Sequence, residues 1–412
     1  MWLQLIHCLG TERNLSKRSV HNKIKKRYSR SILALSGTAL TLSSLSYADA
    51  PPTQSTVSIK STNYQEDDLL SNEVLFGELS RYDIDVHQFQ LVTPVTRNSS
   101  LQVNGSYDSL SGASPWFTSA NSEGEPIVNL SGASGIYDTR RELSIGGSYY
   151  LENETVNLSI GRSTENDYNA AFINFGLTHQ LNNRLTTIGV NTSISNDEIF
   201  PTDAEKFNRI KSASKRSVST ALSISHIINR FSAYQTAISV TNQKGFLSDP
   251  YKLRDVRPNS KSQYAWTNSF RIFFEKMDAA LHSNYRLYHD DFGIGSHTVD
   301  FSWHQNLSTY IPFDLRFVPS IRYYTQSSAN FFTNIDDFSS DPLAPQSSDY
   351  RLAAFGAISA GINFIADLNN LRITAGAERY QAKSKYSAYN VSRPSTALVR
   401  FSRISIGFDF SY

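Results

Sequence analysis

From Ile404 to Tyr412 every second residue is apolar: Ile404, Ile406, Phe408, Phe410 and Tyr412 alternate with Ser405, Gly407, Asp409 and Ser411. Side chains on a strand point alternately to its two faces, so the stretch predicts a strand with one apolar and one polar face. The same period of two recurs throughout the chain. It predicts strands near 56–65, 81–96, 99–110, 138–151, 154–165, 168–181, 184–196 and 215–228. Eight more follow near 231–243, 262–275, 278–290, 294–307, 314–327, 350–366, 371–384 and 397–412. About sixteen strands result, with fourteen as the runner-up because 56–65 and 81–96 alternate least clearly.

The connections alternate too. Every second one is tight: Arg97-Asn98, Glu152-Asn153, Asn182-Asn183, Asn229-Arg230, Lys276-Met277, Ser308 to Phe313 and Asp367 to Asn370. Asn and Asp tolerate the left-handed backbone that hairpin turns need. The other connections include 66–80, 111–137, 197–214, 244–261, 328–349 and 385–396, which are much longer and rich in Ser, Pro, Asp and Asn. Soluble two-sheet proteins have no reason to segregate loops in this way. An all-β, transmembrane antiparallel β-barrel does, with short periplasmic turns and long outer loops.

The N-terminus fits export. Residues 1–48 hold eight Lys or Arg and one acid, with Lys23, Lys25, Lys26, Arg27 and Arg30 clustered before an apolar run, Ile32 to Leu45. That run is too short for a membrane helix, and Ser46-Tyr47-Ala48 offers small residues for signal peptidase. A signal peptide over 1–48 is expected, with the true start downstream of Met1 as an alternative. Its removal changes the charge from +2 to about −5, so the basic balance belongs to the leader and gives no warrant for nucleic-acid binding, and no nucleic-acid partner is expected. The single Cys, Cys8, leaves with it, which removes disulfides and thiol chemistry from the mature chain. The arrangement Ser405, Gly407, Phe410, Tyr412 also resembles the C-terminal signal by which outer-membrane barrels engage their insertion machinery.

Alternation assigns faces. Val299, Phe301, Trp303 and Leu307 are expected toward lipid, as are Tyr264, Trp266, Phe270, Ile272 and Phe274. Neighbouring strands then set Arg271, Arg286, Arg316 and Arg322 on the lumen wall, with Asp300, Glu275 and Asp290 as partners. Such a wall either attracts anions into an aqueous path or braces the barrel with ion pairs. Two functions stay open: a porin-like channel or conduit, and a plugged accessory or binding barrel.

Longer segments carry a resemblance. DSLSGASPW (108–116), SGASGIYDTR (131–140), STENDY (163–168), KGFLSDPYKL (244–253), YRLYHDDFGIGSHT (285–298) and PSIRYYTQSSANFF (319–332) resemble domain-of-unknown-function family 3570, predicted bacterial outer-membrane barrels. The resemblance implies an outer-membrane location. It also implies neighbours of a redox setting: a periplasmic FMN transferase, a small lipoprotein and a thioredoxin-like protein. Asp108 to Ser114, DSLSGAS, is similar to the acceptor motif of such transferases. That implies covalent FMN at Ser114, with Gly112 and Ala113 leaving room and Asp108 positioning the segment. Ser114 stands where Thr is usual, and the partial copy at 128–134 has Asn129 near the Asp position.

Other polar clusters carry less. His289, Asp290, Asp291 and His297 flank a short outer connection, and Asp336, Asp337 and Asp341 recur in a long one, without the spacing of an ordered calcium loop. Glu165, Asp167 and Tyr168 read as pins of a tight turn, so no metal site is assigned. No serine-centred elbow or paired-carboxylate motif supports an enzyme.

Overall fold

The computed structural model describes residues 50–130, 136–308 and 313–412. The expected leader, 1–48, lies outside them, as does most of the second FMN-like segment. Sixteen strands form one sheet. They are β1 Thr56–Glu66, β2 Asp83–Thr96, β3 Ser99–Gly112, β4 Ile136–Tyr150, β5 Glu154–Thr164, β6 Tyr168–Leu181, β7 Thr186–Ile199 and β8 Ala213–Asn229. The second half comprises β9 Ser232–Gly245, β10 Ser260–Phe274, β11 Ala279–Asp290, β12 Gly295–Asn306, β13 Asp314–Gln326, β14 Phe355–Leu368, β15 Leu371–Lys383 and β16 Arg400–Ser411. Sixteen is therefore the strand number, and each predicted strand is present within a few residues.

Antiparallel pairing runs between sequence neighbours and then closes. The ladder of β16 with β1 extends from Thr56 opposite Ser411 to Glu66 opposite Phe401. On its other edge β1 meets β2: Ser61 Oγ lies 2.8 Å from His87 Nδ1, Asn63 Nδ2 donates to Asp83 at 3.0 Å, and the Glu66 N–H donates to the Tyr82 carbonyl at 2.8 Å. Closure leaves no free edge, which is what a sheet in lipid requires. No helix among the described residues is long and apolar enough to cross a membrane.

Burial is inverted relative to a soluble protein. On β8, Leu222 and Ile224 are 57% and 48% exposed, while the intervening Ser223 is 2% exposed. Likewise Leu158 and Ile160 on β5, Ile173 and Phe175 on β6, and Ile404, Ile406 and Phe410 on β16 are exposed. An outward apolar band around a polar interior is stabilising only when lipid covers it. The turns at one end are tight. Asn182, Asn183 and Arg184 carry φ of 52°, 55° and 69°, and Asn369 carries 54°.

At the other end the long connections fold back onto one another, a feature absent from the period-two reading. Val74–Phe76, Pro115–Ala120 and Pro126–Leu130 form a small sheet, and Asp255–Val256 pairs with Gln346–Ser347. These segments interlock. Asp336 accepts from the Thr118 N–H at 2.8 Å, and the Leu253 N–H donates to the Trp116 carbonyl at 3.1 Å.

Candidate functional site in the lumen

Inward positions of β1, β2, β3, β13, β14, β15 and β16 near the outer rim are apolar or aromatic. Tyr64, Ile84, Val86, Leu110, Tyr324, Phe355, Tyr380 and Phe401 pack as one buried cluster, joined by Tyr350 from the 327–354 loop. Rings fill this side of the lumen and draw a loop residue into it. A barrel strand has only one apolar face to spare for lipid, so a second apolar patch inside needs a protein lid to cover it.

An ion cluster holds that lid. Asp349, fully buried, accepts from Arg257 Nη2 at 2.7 Å, from the Arg351 N–H at 3.0 Å and from the Arg351 guanidinium. Arg257 also pairs with Asp255 at 2.7 Å, and Asp255 accepts from Ser347 Oγ at 2.7 Å. Burial on its own would raise Asp349, but Arg351, Lys252 and Arg257 together hold its carboxyl well below the usual range. Two loops about ninety residues apart in sequence are thus clamped by one ionised carboxylate. Arg81 packs its guanidinium 5.2 Å from the Tyr350 ring centre and donates to Glu66 at 2.8 Å.

Beneath the lid lies a cavity of about 330 Å³. Lys215, Lys261, Arg257, Arg286 and Arg351 line it, against Asp249 and Asp290, with Tyr288, Tyr324, Tyr350 and Tyr380 around them. Four of the cations have acids: Lys215 with Asp197 at 3.0 Å, Lys261 with Asp290 at 2.8 Å, Arg257 and Arg351 with Asp349. Arg286 differs. No carboxylate among the described residues lies within 4.0 Å of it, and its guanidinium rests 5.4 Å from the Tyr288 ring centre. A second cavity of about 400 Å³ opens at the periplasmic end, lined by His282, His304, Arg316 and Asp367 among others.

The predicted wall residues fall as follows. Arg271, Arg286, Arg316 and Arg322 share the lumen face of β10, β11 and β13, Arg271 opposite His282 and Arg286 opposite Thr298. Arg322 binds Asp300, and Arg316 binds Asp367 at 2.7 Å. These pairs brace adjacent strands. Glu275 is a correction: β10 ends at Phe274, and Glu275 begins a 3₁₀ turn, Glu275–Met277, where it is exposed outside the ladder. Phe273, by contrast, faces the periplasmic cavity. Sequence reasoning missed Lys261 and Lys215, and it missed the loop cluster. Alternating acids and arginines in Asp249, Arg254, Asp255, Arg257 and in Asp349, Arg351 were the available signal.

The FMN-motif residues lie in the packed outer rim. Asp108 faces the lumen, 4% exposed, accepting from Ser106 Oγ at 2.6 Å with Arg140 at 3.8 Å. Ala113 is buried, and its N–H donates to the Ser80 carbonyl at 3.3 Å. At Gly112 a Cβ would sit 2.1 Å from the Arg81 carbonyl oxygen. The small residues are thus used for packing against residues 80 and 81, and Ser114 itself is half-buried. His289 and Asp290 also part: neighbours on β11, they point to opposite faces, with Asp290 turned to Lys261. The insertion-signal residues form the closing strand. Gly407 faces inward opposite Lys60, whose side chain passes 3.4 Å from where a Cβ would be, while Phe410 and Tyr412 are exposed and stacked at 6.0 Å.

Closed sheet, lipid-facing apolar band, tight turns at one end and long loops at the other define a transmembrane β-barrel of the outer-membrane kind. A family model described as a protein of unknown function, DUF3570, matches residues 27–394. The chain belongs to that family. No curated protein matches it. Among solved structures, it is similar to a bacterial polysaccharide outer membrane secretin (10% identity, TM-score 0.48, 87% of this chain and 98% of that one). It is also similar to two Acinetobacter baumannii proteins. CdiB has 9% identity and TM-score 0.49, covering 88% of this chain and 60% of that one. OccAB3 has 8% identity and TM-score 0.43, covering 87% and 99%. At these scores the likeness adds nothing to what the closed barrel establishes on its own.

Proposed function

We propose that this barrel is a conduit for small anionic solutes, exported by its leader and held shut at the outer mouth by its own loops. The observation that carries the reading is Arg286. A guanidinium facing a cavity of about 330 Å³ without a carboxylate is a charge in want of a counter-ion. The other four cations are neutralised locally and brace wall or lid. The Tyr288 and Tyr324 rings flank Arg286 in the same cavity, their hydroxyls donating to Asp290 and Gln326, so the guanidinium is the group left to meet a solute anion. A solute carboxylate or phosphate group would pair with a planar guanidinium through two hydrogen bonds.

Planar-bilayer recording under a salt gradient tests this. Brief openings with an anion-selective reversal potential are expected, and Arg286→Glu should move that potential toward cation selectivity. Unchanged selectivity in R286E would remove Arg286 as the selecting group. Closed behaviour in every variant, at all ionic strengths, would leave the plugged accessory or binding barrel, which the inward-folded loops favour.

A further inference from the structure

Away from the lumen cavity, the outer rim gathers three carboxylates from two sheet segments. Asp138 lies near the start of β4, and Glu165 and Asp167 lie in the turn between β5 and β6. One oxygen from each lies within 4.8 Å of the others. Oxygens that share one calcium ion at about 2.4 Å are never farther apart than about 4.8 Å, so the spacing is that of a common coordination shell.

Spacing alone would be a coincidence of acidic loops. The hydrogen bonds make it more. Asp167 is 1% exposed, yet its Oδ1 has no hydrogen-bond partner. Its Oδ2 accepts from the Tyr251 hydroxyl, and no Lys or Arg lies within 4.0 Å of it among the described residues. Asp138, fully buried, has its Oδ1 occupied by the Thr139 N–H at 2.8 Å and by Asn166 Nδ2 at 2.6 Å. Each of these bonds fixes a carboxylate and orients what remains. A buried carboxylate oxygen without a donor costs about 1–3 kcal/mol or more, and two more acids beside it add repulsion. Arg140 is bound by Glu142 and also faces Glu165 and Asp108.

We propose that Asp138, Glu165 and Asp167 bind a calcium-class divalent cation at the outer rim, and that the cation ties the lid to the barrel wall through Tyr251. All-oxygen, irregular and anionic, the set suits Ca²⁺ better than Mg²⁺, which demands near-octahedral geometry. Tyr251 belongs to the 246–259 loop that also carries Asp255 and Arg257 of the lid. Its hydroxyl is bonded to Asp167 and accepts from the Thr202 N–H at 3.0 Å, so the cation site and the lid share one loop. The site stands whether or not the barrel conducts.

Terbium luminescence reads it directly, because Tb³⁺ takes calcium sites and Tyr251 and Tyr168 lie beside the carboxylates to sensitise it. Detergent-purified, chelator-stripped protein should give tyrosine-sensitised Tb³⁺ emission that Ca²⁺ displaces at or below about 1 mM, the range of extracellular sites. Glu165→Gln, at a half-buried turn position, should weaken Tb³⁺ at least tenfold while heat-modifiable migration stays normal. Asp138→Asn with Asp167→Asn should abolish the emission, and Asp337→Asn, an exposed lid residue, should leave it intact. No sensitised emission between about pH 6 and pH 8, or wild-type affinity in E165Q and in the double variant, would overturn the site. The former would mean that a proton, not a metal, neutralises Asp167.

Discussion

Replacing Asp349 with Asn should loosen the outer lid without harming the barrel. In the native protein this carboxylate is fully buried and joins Arg257, at 2.7 Å, to Arg351. Removing one partner of a buried ion pair costs about 3–5 kcal/mol, because the surviving charge stays desolvated. The side chain of Arg351 is 26% exposed, so water takes up part of its loss, and Asn still accepts from the Arg351 N–H. A penalty of about 2 kcal/mol is left, which shifts the closed–open balance about 30-fold. In planar bilayers the open probability of D349N should rise by about that factor, with faster amide exchange over 346–352. The effect should also depend on pH in a defined way. Because Asp349 is held well below its ordinary 3.8, its contribution is complete above that value and fades only as pH falls through the lower folded value. Wild-type closure should therefore persist from neutral pH to about pH 4, and D349N should lose that acid limb. If D349N folds, as judged by heat-modifiable migration, and gates like wild type, the cluster does not hold the lid and the reasoning fails.

Further outcomes follow from other residues. Gly112 has φ of +120° and would put a Cβ 2.1 Å from the Arg81 carbonyl oxygen, so Gly112→Ala should cost about 1–3 kcal/mol and speed proteolysis of the 113–130 hairpin. Equal protease resistance would show that the rim yields at no cost. Burial chiefly raises Asp167 to about 7, with Asp138 and Asp249 adding to it and the Tyr251 hydrogen bond opposing; Arg209 also faces the group. A metal needs the carboxylate, so Tb³⁺ affinity should climb with pH to about 7 and then level. In metal-free protein that raised value means rim stability is full below 3.8 and declines as pH rises through about 7, which loop-specific hydrogen exchange can follow. Intact mass of protein from envelopes with an active FMN transferase should be unmodified, since Gly112 and Ala113 pack against residues 80 and 81. One added FMN group at Ser114 would mean that transfer precedes folding.

The barrel was legible because its strands obey one local rule. Lipid on one side and a polar interior on the other force a period of two, and a one-residue slip would invert a whole face. Leu222, Ser223 and Ile224 state that rule in three residues, and their exposure follows it. Turn ends were legible for a similar reason, since Asn182 and Asn183 are residue types that accept positive φ. Glu275 was misplaced where the rule stops: alternation continues on paper one residue past Phe274, while the backbone has already turned.

The lid obeys no local rule. Its contacts join Thr118 to Asp336, Asp255 to Ser347 and Arg257 to Asp349, pairs separated by up to 218 residues, and any of several loop acids could have served each arginine. Ser, Asp and Pro in such loops read as solvent-exposed turns because that is their commonest use. What changes their role is the environment supplied by the ring: seven strands turn aromatic and aliphatic side chains inward near the rim, and that apolar surface is stabilised only under a cover. The inward positions of Ile84, Val86, Leu110 and Phe401 were visible in the alternation, on the face that should have been polar. Apolar residues on the lumen face of a membrane barrel are therefore the sequence mark of a lid, and they locate it before any loop contact is known.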